Sequence, residues 1–230
     1  MNHQKTGPVL AESVALTYFT DFQAITVEVI AERIIPANGS DAGATEAGVV
    51  YYIDRSITGF SSNLQRIYRL GLRELERYCD QRYSTQFHEL DAERQDEIIR
   101  HLLGPEILEP TSPPDGGTFP DLVNDQTRED GHKHFGYSTA TINEDLLHRL
   151  FAVIREHTVE GYFCDPIYGG NRNTVGWKLV GFPGAQWGYT AEQMKPGFDA
   201  STIVIKTLSD LRRELGSLPD NKQYYSNEVK

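Results

Sequence analysis

Apolar residues recur with the period of an α-helix in five stretches of the first 160 residues. The first stretch predicts a helix from Thr20, because Thr20 and Gln23 have the spacing of a capping box, and Pro36 ends it. The apolar residues that define this helix are Phe22, Ile25, Val29, Ile30 and Ile34. A second, shorter helix is predicted between Thr45 and Gly59, with apolar residues at positions 49, 50, 53 and 57.

Three further helices follow the same pattern. The third is predicted to start at Ser61 or Ser62 and to reach Cys79, with Gly71 inside it. A glycine there costs about 1 kcal/mol of helix propensity, which indicates close packing or a bend. The fourth runs from the N-cap candidate Asp91 to the glycine-proline pair at 104–105.

The fifth helix is predicted from a capping box of Thr141 and Glu144 and extends to about His157. Near the C-terminus, the sequence TIVIKTLSDLRREL begins like a strand and ends like a helix, so its internal boundary stays open.

Two long segments lack such a period. Residues 105–140 are rich in proline, glycine and charge, which predicts either a binding or assembly loop or simple disorder. Residues 161–190, called here the glycine-aromatic segment, contain seven glycines and seven aromatic residues. Aromatic rings bury large areas and glycines permit left-handed backbone, so we predict an ordered, irregular structure.

These patterns predict a mainly α, irregular helical fold with long Gly/Pro/aromatic-rich loops and little strand. Residues 1–230 form one domain in this prediction. It has an N-terminal arm at 1–19, a helical core at 20–160, the glycine-aromatic segment and a C-terminal arm at 216–230.

Composition narrows the possible classes of partner. With 39% hydrophobic residues, the 230-residue chain has enough apolar residues to form a core. This excludes the possibility that the whole chain is a disordered tail. A net charge of −11 and no evident local basic patch disfavour nucleic acid and anionic membranes as partners. No apolar run reaches the roughly 18 residues of a membrane span, so direct membrane insertion is not expected.

The chain as written shows neither a basic start nor an apolar stretch typical of a signal peptide. We therefore expect it to be cytoplasmic as written, or periplasmic if an export signal was removed or is supplied elsewhere.

Familiar catalytic motifs are missing from the sequence: it has no G-x-G-x-x-G, Walker loop, G-x-S-x-G or H-E-x-x-H. His132 and His134 form an H-x-H that could share a metal with Glu129 or Asp130. Solvated loop histidines are the favoured interpretation, because no third ligand follows at a convincing spacing.

Two other catalytic arrangements are disfavoured. Cys164 as a nucleophile would need an electropositive setting, whereas the neighbouring carboxylate of Asp165 raises a thiol pKa. His148 and His157 lie nine residues apart, on opposite faces of the fifth helix, and cannot act together.

The glycine-aromatic segment carries the most specific pattern. Asp165 before Pro166 favours a turn, and Gly169 and Gly170 indicate special backbone angles. Its aromatic residues are interpreted either as anchors for a partner or as plugs of the core, the plugs being Trp177, Phe182 and Trp187.

The run from Gly161 to Asn171 reads GYFCDPIYGGN, and a G-W-K-x-x-G-x-P-G pattern follows at 176–184. In these residues the sequence resembles the gluconate 2-dehydrogenase subunit 3 family. Upstream features of that family also match, among them Ile34-Ile35-Pro36, Ala47-Gly48-Val49, Ile53-Asp54 and Gly71-Leu72. The resemblance covers roughly residues 22–184.

The resemblance implies a mainly helical, non-catalytic small subunit that assists folding of a large FAD-bearing dehydrogenase subunit of the glucose-methanol-choline type. That partner sometimes also holds an iron-sulfur cluster and passes electrons from a sugar to a cytochrome c or another acceptor. No catalytic, cofactor-binding or metal-binding residue is expected in this chain. The predicted interface residues are Phe163, Asp165, Pro166, Tyr168, Gly169, Gly170, Asn171, Trp177, Pro183 and Trp187. Tyr168, Trp177 and Trp187 are the strongest anchor candidates. Residues 110–136 are predicted to dock on the same large subunit.

Two alternatives stay open beside this interpretation: a free-standing metal-dependent enzyme built on His132 and His134, and a chaperone that leaves once the flavoprotein has folded. The sequence also departs from the family pattern twice. It has no twin-arginine signal before Val9, and Cys164 stands where a small residue such as alanine is common. We favour neutral packing of Cys164 over pairing with Cys79.

Overall fold

The computed structural model describes residues 15–103 and 141–217. The described residues contain seven α-helices and no β-strand, and only two isolated β-bridges, which confirms the mainly α fold. The helices are α1 (Asp21–Ile34), α2 (Val49–Thr58), α3 (Gln65–Tyr83), α4 (Ala92–Leu103), α5 (Glu144–Phe163), α6 (Val175–Val180) and α7 (Leu208–Ser217).

Helix α5 lies at the centre of the fold and packs against α1, α2, α3 and α4. The predicted close packing at Gly71 is confirmed, because a Cβ atom there would lie 2.8 Å from the Cβ atom of Leu150 on α5. Gly161 on α5 allows α2 to pack equally closely, since a Cβ atom at Gly161 would lie 2.9 Å from the Tyr52 ring. Two glycines on facing helices therefore set the distances at which α3 and α2 pack against α5.

Two helix starts agree with the sequence. Thr20 and Gln23 form the predicted capping box at α1. At α4, the Asp91 side chain accepts a hydrogen bond of 3.0 Å from the Arg94 amide, as expected of an N-cap.

Two other helix starts were predicted wrongly. Neither Ser61 nor Ser62 caps α3, because a 3-10 turn at Ser62–Leu64 precedes the helix. The hydroxyl of Ser61 instead accepts a hydrogen bond from the Ser56 hydroxyl at 2.9 Å. At α5 the cap is Asn143, whose side chain accepts from the Leu146 amide, so the predicted Thr141 box is displaced by two residues.

The apolar face of α1 also differs from the prediction. Ala24, Val27 and Ile30 are fully buried, whereas Phe22 is 65% exposed and lies beside the His88 ring. The small residue Ala24 allows close packing there, an effect that counting only large apolar residues misses.

Helix α3 exposes three arginines, Arg66, Arg69 and Arg73, which helical spacing brings to one face. The structure thus shows a small basic face that was not evident from the linear sequence.

No helix in the described part of the chain combines the length and apolarity needed to cross a bilayer.

Asp54 on α2 fixes the residues that precede α1. Its carboxylate accepts hydrogen bonds from the amides of Thr17, Tyr18 and Phe19 at 2.7–2.9 Å, and from the Thr17 hydroxyl at 2.8 Å. Asp54 is 2% exposed, so one buried carboxylate orders the end of the predicted N-terminal arm against the core.

Glu28 on α1 is a buried carboxyl group whose Oε2 atom has no hydrogen-bond partner among the described residues. Burial and the nearby Glu32 carboxylate raise the pKa of Glu28 to about 7, and Arg172 partly opposes them. The folded chain therefore holds this proton at pH values where the unfolded chain, with a pKa near 4.5, has lost it. Stability falls as pH rises between these two values.

We expect Glu28→Gln to remove the loss of stability that the unsubstituted chain shows as the pH rises from about 4.5 to about 7. The variant should match the unsubstituted chain below about pH 4.5 and be more stable by about 1–2 kcal/mol at pH 8, allowing for solvent screening. Thermal unfolding of both chains at several pH values measures the difference. A difference that does not change with pH would contradict the assignment.

Candidate functional site

The glycine-aromatic segment is ordered, but part of it is helical, contrary to the prediction of a wholly irregular segment. Its first residues, Gly161–Phe163, are the last turn of α5, which extends beyond the predicted end at His157. Residues Val175–Val180 form the short helix α6. Because glycine and aromatic residues occupy many positions here, the sequence lacks the apolar period that would have predicted these two helical stretches.

Asn171 connects the end of α5 with the beginning of α6. Its side-chain amide donates to the Cys164 carbonyl oxygen at 2.8 Å, and its side-chain oxygen accepts from the Gly176 amide at 2.8 Å. Asn171 is fully buried and has a left-handed backbone with φ 45°. One side chain thus bonds the residue that follows α5 and a residue in the first turn of α6.

Three of the four non-glycine residues with positive φ among the described residues lie in this turn, namely Asn171, Asn173 and Thr174. Left-handed backbone is unfavourable for a β-branched residue such as Thr174. Strained backbone of this kind concentrates at functional sites, where the surrounding structure holds it in place. The turn therefore has the features of a rigidly held surface.

Glycines allow the turn to lie directly on α5. A Cβ atom at Gly170 would lie 2.1 Å from the Gly161 carbonyl oxygen, and one at Gly176 would lie 2.1 Å from the Tyr162 carbonyl oxygen. Gly169 has φ 108°, a left-handed conformation that other residues rarely adopt.

Asp165 joins the segment to the C-terminal helix. Its Oδ1 atom accepts from the Ile167 amide at 3.0 Å, which caps a 3-10 turn at Pro166–Tyr168. Its Oδ2 atom accepts from the Leu208 amide at 2.8 Å, at the start of α7. The described residues before Leu208 form no strand, so the predicted strand character of the tail is wrong. They contact the glycine-aromatic segment through the isolated Gly184–Lys206 bridge and through the Gln186 side chain, which donates to the Val204 carbonyl oxygen at 3.0 Å.

The predicted interface residues separate into buried and exposed groups. Trp177 is 5% exposed, and its indole N–H donates to the Phe163 carbonyl oxygen at 2.7 Å. This burial favours the interpretation of Trp177 as a plug of the chain's own core. Pro183 is also buried, whereas Phe163, Tyr168 and Trp187 are 36%, 52% and 60% exposed.

The exposed part of the segment borders a groove whose other wall was not predicted. The groove has a volume of about 470 Å³ and is lined by Tyr52, Phe60, Glu160, Phe163, Cys164, Asp165 and Tyr168. Phe60 is 73% exposed. Tyr52 and Glu160 are 108 residues apart in sequence yet hydrogen bonded at 2.9 Å, a pairing that helical periodicity does not reveal.

Thiol chemistry is disfavoured by the structure. Burial raises the pKa of Cys164 to about 11 and that of Cys79 to about 12, so few thiolates form at neutral pH. Both cysteines are free, and the Cys164 thiol donates to the Gly161 carbonyl oxygen at 3.4 Å.

His148 and His157, which were not expected to act together, contact different parts of the chain. His157 is buried and bonded to the Tyr68 hydroxyl at 2.9 Å, whereas His148 contacts the Leu102 carbonyl oxygen. His132, His134 and the candidate docking residues 110–136 lie outside the described residues. Within residues 15–103 and 141–217, no cluster of three His, Cys, Asp or Glu side chains could hold a metal.

Comparison with known proteins gives one match. A family model described as gluconate 2-dehydrogenase subunit 3 matches residues 21–184, which is more than half of the chain. No curated protein and no solved structure is significantly similar to the chain. The matched range ends at Gly184, so it includes the Asn171 turn, α6 and every lining residue of the groove.

Proposed function

From the premise that this chain belongs to the gluconate 2-dehydrogenase subunit 3 family, we propose that it is the non-catalytic small subunit of an FAD-dependent sugar or glycoside dehydrogenase complex. Its partner is a large subunit of the glucose-methanol-choline type, which holds the flavin and carries out the oxidation. A cytochrome c or another acceptor takes up the electrons in this proposal. The proposed compartment is the cytoplasm, or the periplasm if an export signal was removed or is supplied elsewhere.

The observation that carries this proposal is a rigid backbone that presents exposed aromatic side chains. Asn171 and the close-approach glycines fix the turn, while Tyr168 and the neighbouring Phe60 are more than half exposed and Phe163 is about one-third exposed. Clustered exposed aromatic residues are typical of protein interfaces. A surface that is already rigid loses little conformational entropy when a partner binds.

The proposed contribution of the chain is to stabilise the large subunit during and after folding. A partner that binds only the folded flavoprotein shifts the folding equilibrium toward it by mass action. The chemistry needs no catalytic group from the small subunit in this account. The chain stays bound in our proposal, whereas a transient chaperone would be released.

Tyr168 tests the docking surface, because its ring is half exposed and its position is fixed by the Asp165-capped turn. We expect Tyr168→Ala to weaken binding of the large subunit by about 2 kcal/mol, or about 30-fold in Kd, with little change in the stability of the isolated chain. Surface plasmon resonance with the purified flavoprotein measures the change in Kd.

The matched control is Phe22→Ala, which removes a 65% exposed aromatic side chain on α1, outside the groove and the glycine-aromatic segment. It should leave the Kd unchanged. Equal effects of the two substitutions, or no effect of Tyr168→Ala, would contradict docking through this surface. Trp177→Ala is less informative, since loss of a buried ring also destabilises the chain itself.

A further inference from the structure

The groove beside the glycine-aromatic segment combines aromatic walls with a carboxylate. Three of its lining residues are large and exposed: Phe60 at 73%, Tyr168 at 52% and Phe163 at 36%. The Phe60 ring lies 6.4 Å from the ring of Tyr52, which is itself nearly buried. The walls thus come from α2 and the residue Phe60 that follows it, from the end of α5 and from the turn after α5.

The carboxylate of Glu160 is held in position by the chain's own structure. Its Oε2 atom accepts a hydrogen bond from the Tyr52 hydroxyl at 2.9 Å, and the residue is exposed. Among the described residues Glu160 has no ion pair. Arg55, which lies beside Gly169, donates to the Ile167 carbonyl oxygen at 3.4 Å.

Negative charge dominates the groove. Each carboxylate oxygen of Asp165 accepts a backbone amide hydrogen bond, whereas Glu160 has a hydrogen bond only at Oε2 among the described residues. Glu160 is therefore the acidic lining residue with a carboxylate oxygen open to a partner. Burial, the hydrogen bond to Glu160 and the charges of Glu160 and Glu156 raise the pKa of the Tyr52 hydroxyl. The charges of Asp165 and Glu160 also contribute to the raised pKa of Cys164.

We infer that the groove receives an arginine side chain presented by the large subunit. This inference rests on the proposed function and names the chemistry of the contact. A planar guanidinium stacks on aromatic faces and forms two parallel hydrogen bonds with a carboxylate, which matches the aromatic walls and the positioned Glu160. A purely apolar side chain would leave the Glu160 charge unpaired in the interface.

The test compares Glu160→Gln with the unsubstituted chain in binding to the purified flavoprotein. Glutamine keeps the shape of the side chain and an oxygen that accepts from the Tyr52 hydroxyl, so the isolated chain should unfold at the same temperature. We expect Kd to rise about tenfold at low salt and the difference to shrink between about 0.05 and 0.5 M NaCl.

Two further variants sharpen the result. Glu76→Gln removes an exposed carboxylate of α3 outside the groove and should leave Kd unchanged. Tyr52→Phe keeps the Glu160 charge but removes the hydrogen bond that positions it, so its effect should be smaller than that of Glu160→Gln. Its salt dependence should stay close to that of the unsubstituted chain.

The outcomes separate this inference from the proposed function. If the unsubstituted chain binds the flavoprotein and Glu160→Gln binds equally well, the groove does not receive a cation and the inference is wrong, while the subunit assignment stands. Weakening by Tyr168→Ala without weakening by Glu160→Gln would indicate an uncharged occupant and would also overturn it. If the unsubstituted chain does not bind at all, the proposed function itself fails.

Discussion

We expect Gly170→Ala to lower the free energy of unfolding by about 3 kcal/mol and to abolish most binding of the large subunit. The added methyl group would lie 2.1 Å from the Gly161 carbonyl oxygen and 2.8 Å from its carbon atom, so α5 and the turn must separate. Backbone atoms cannot rotate away as a flexible side chain can. The separation would strain the Asn171 hydrogen bonds to Cys164 and Gly176.

Gly188→Ala is the matched control, because a Cβ atom at Gly188 meets no other atom within 4 Å and the residue does not have a positive φ. Thermal unfolding should show little change for it. Comparable stability of Gly170→Ala and Gly188→Ala would mean that the turn does not rest on α5 as closely as described.

The second large effect is expected at Asp54. Substitution by alanine removes the acceptor of four hydrogen bonds and leaves the buried amide of Phe19 without its carboxylate partner. Hydrogen bonds to a charged group are among the stronger ones in proteins, so we expect a loss of about 3 kcal/mol. Residues 17–19 should also become sensitive to proteases.

Urea unfolding measures the stability change, and limited proteolysis with N-terminal sequencing locates the released segment. Asp80→Ala, at an exposed position near the end of α3, serves as the control. Unchanged stability of Asp54→Ala, or no increase in cleavage at residues 17–19, would contradict the structural role assigned to this carboxylate.

Helices with clear periodicity and local caps could be predicted from the sequence. The Thr20 box and the Asp91 cap depend on neighbours three residues away, so the sequence contains the whole interaction. Gly71 was also informative, because a glycine within a strong helical pattern indicates close packing, which Leu150 supplies. The two mispredicted caps have different causes: at α5 the Asn143 side chain replaces Thr141 as the cap, whereas α3 follows a 3-10 turn and has no side-chain cap.

The groove could not be predicted, because its walls come from residues distant in sequence. Tyr52 and Glu160 meet only once α2 has packed on α5, and Gly161 permits that packing. Residue type alone also failed to separate anchors from plugs: Trp177 and Trp187 look alike in the sequence, yet one is buried and the other exposed. That difference depends on the path of the chain after α6.

The positions of these residues connect stability and docking. Buried residues such as Asn171 and Gly170 hold the turn, and exposed residues such as Tyr168 and Phe60 are the proposed contacts. Substitutions in the first group should reduce both stability and binding, whereas those in the second should reduce binding alone. This separation makes the docking proposal testable with variants of one chain.

The most direct test of the central claim is the native mass and absorbance spectrum of the assembly that a tagged form of this chain captures from its own source. Size-exclusion chromatography with light scattering should show a stable complex with a large subunit in equal amounts, and its spectrum should contain bound flavin. A chain that elutes alone, without flavin absorbance, while the dehydrogenase is present and active in the same extract, would contradict the account.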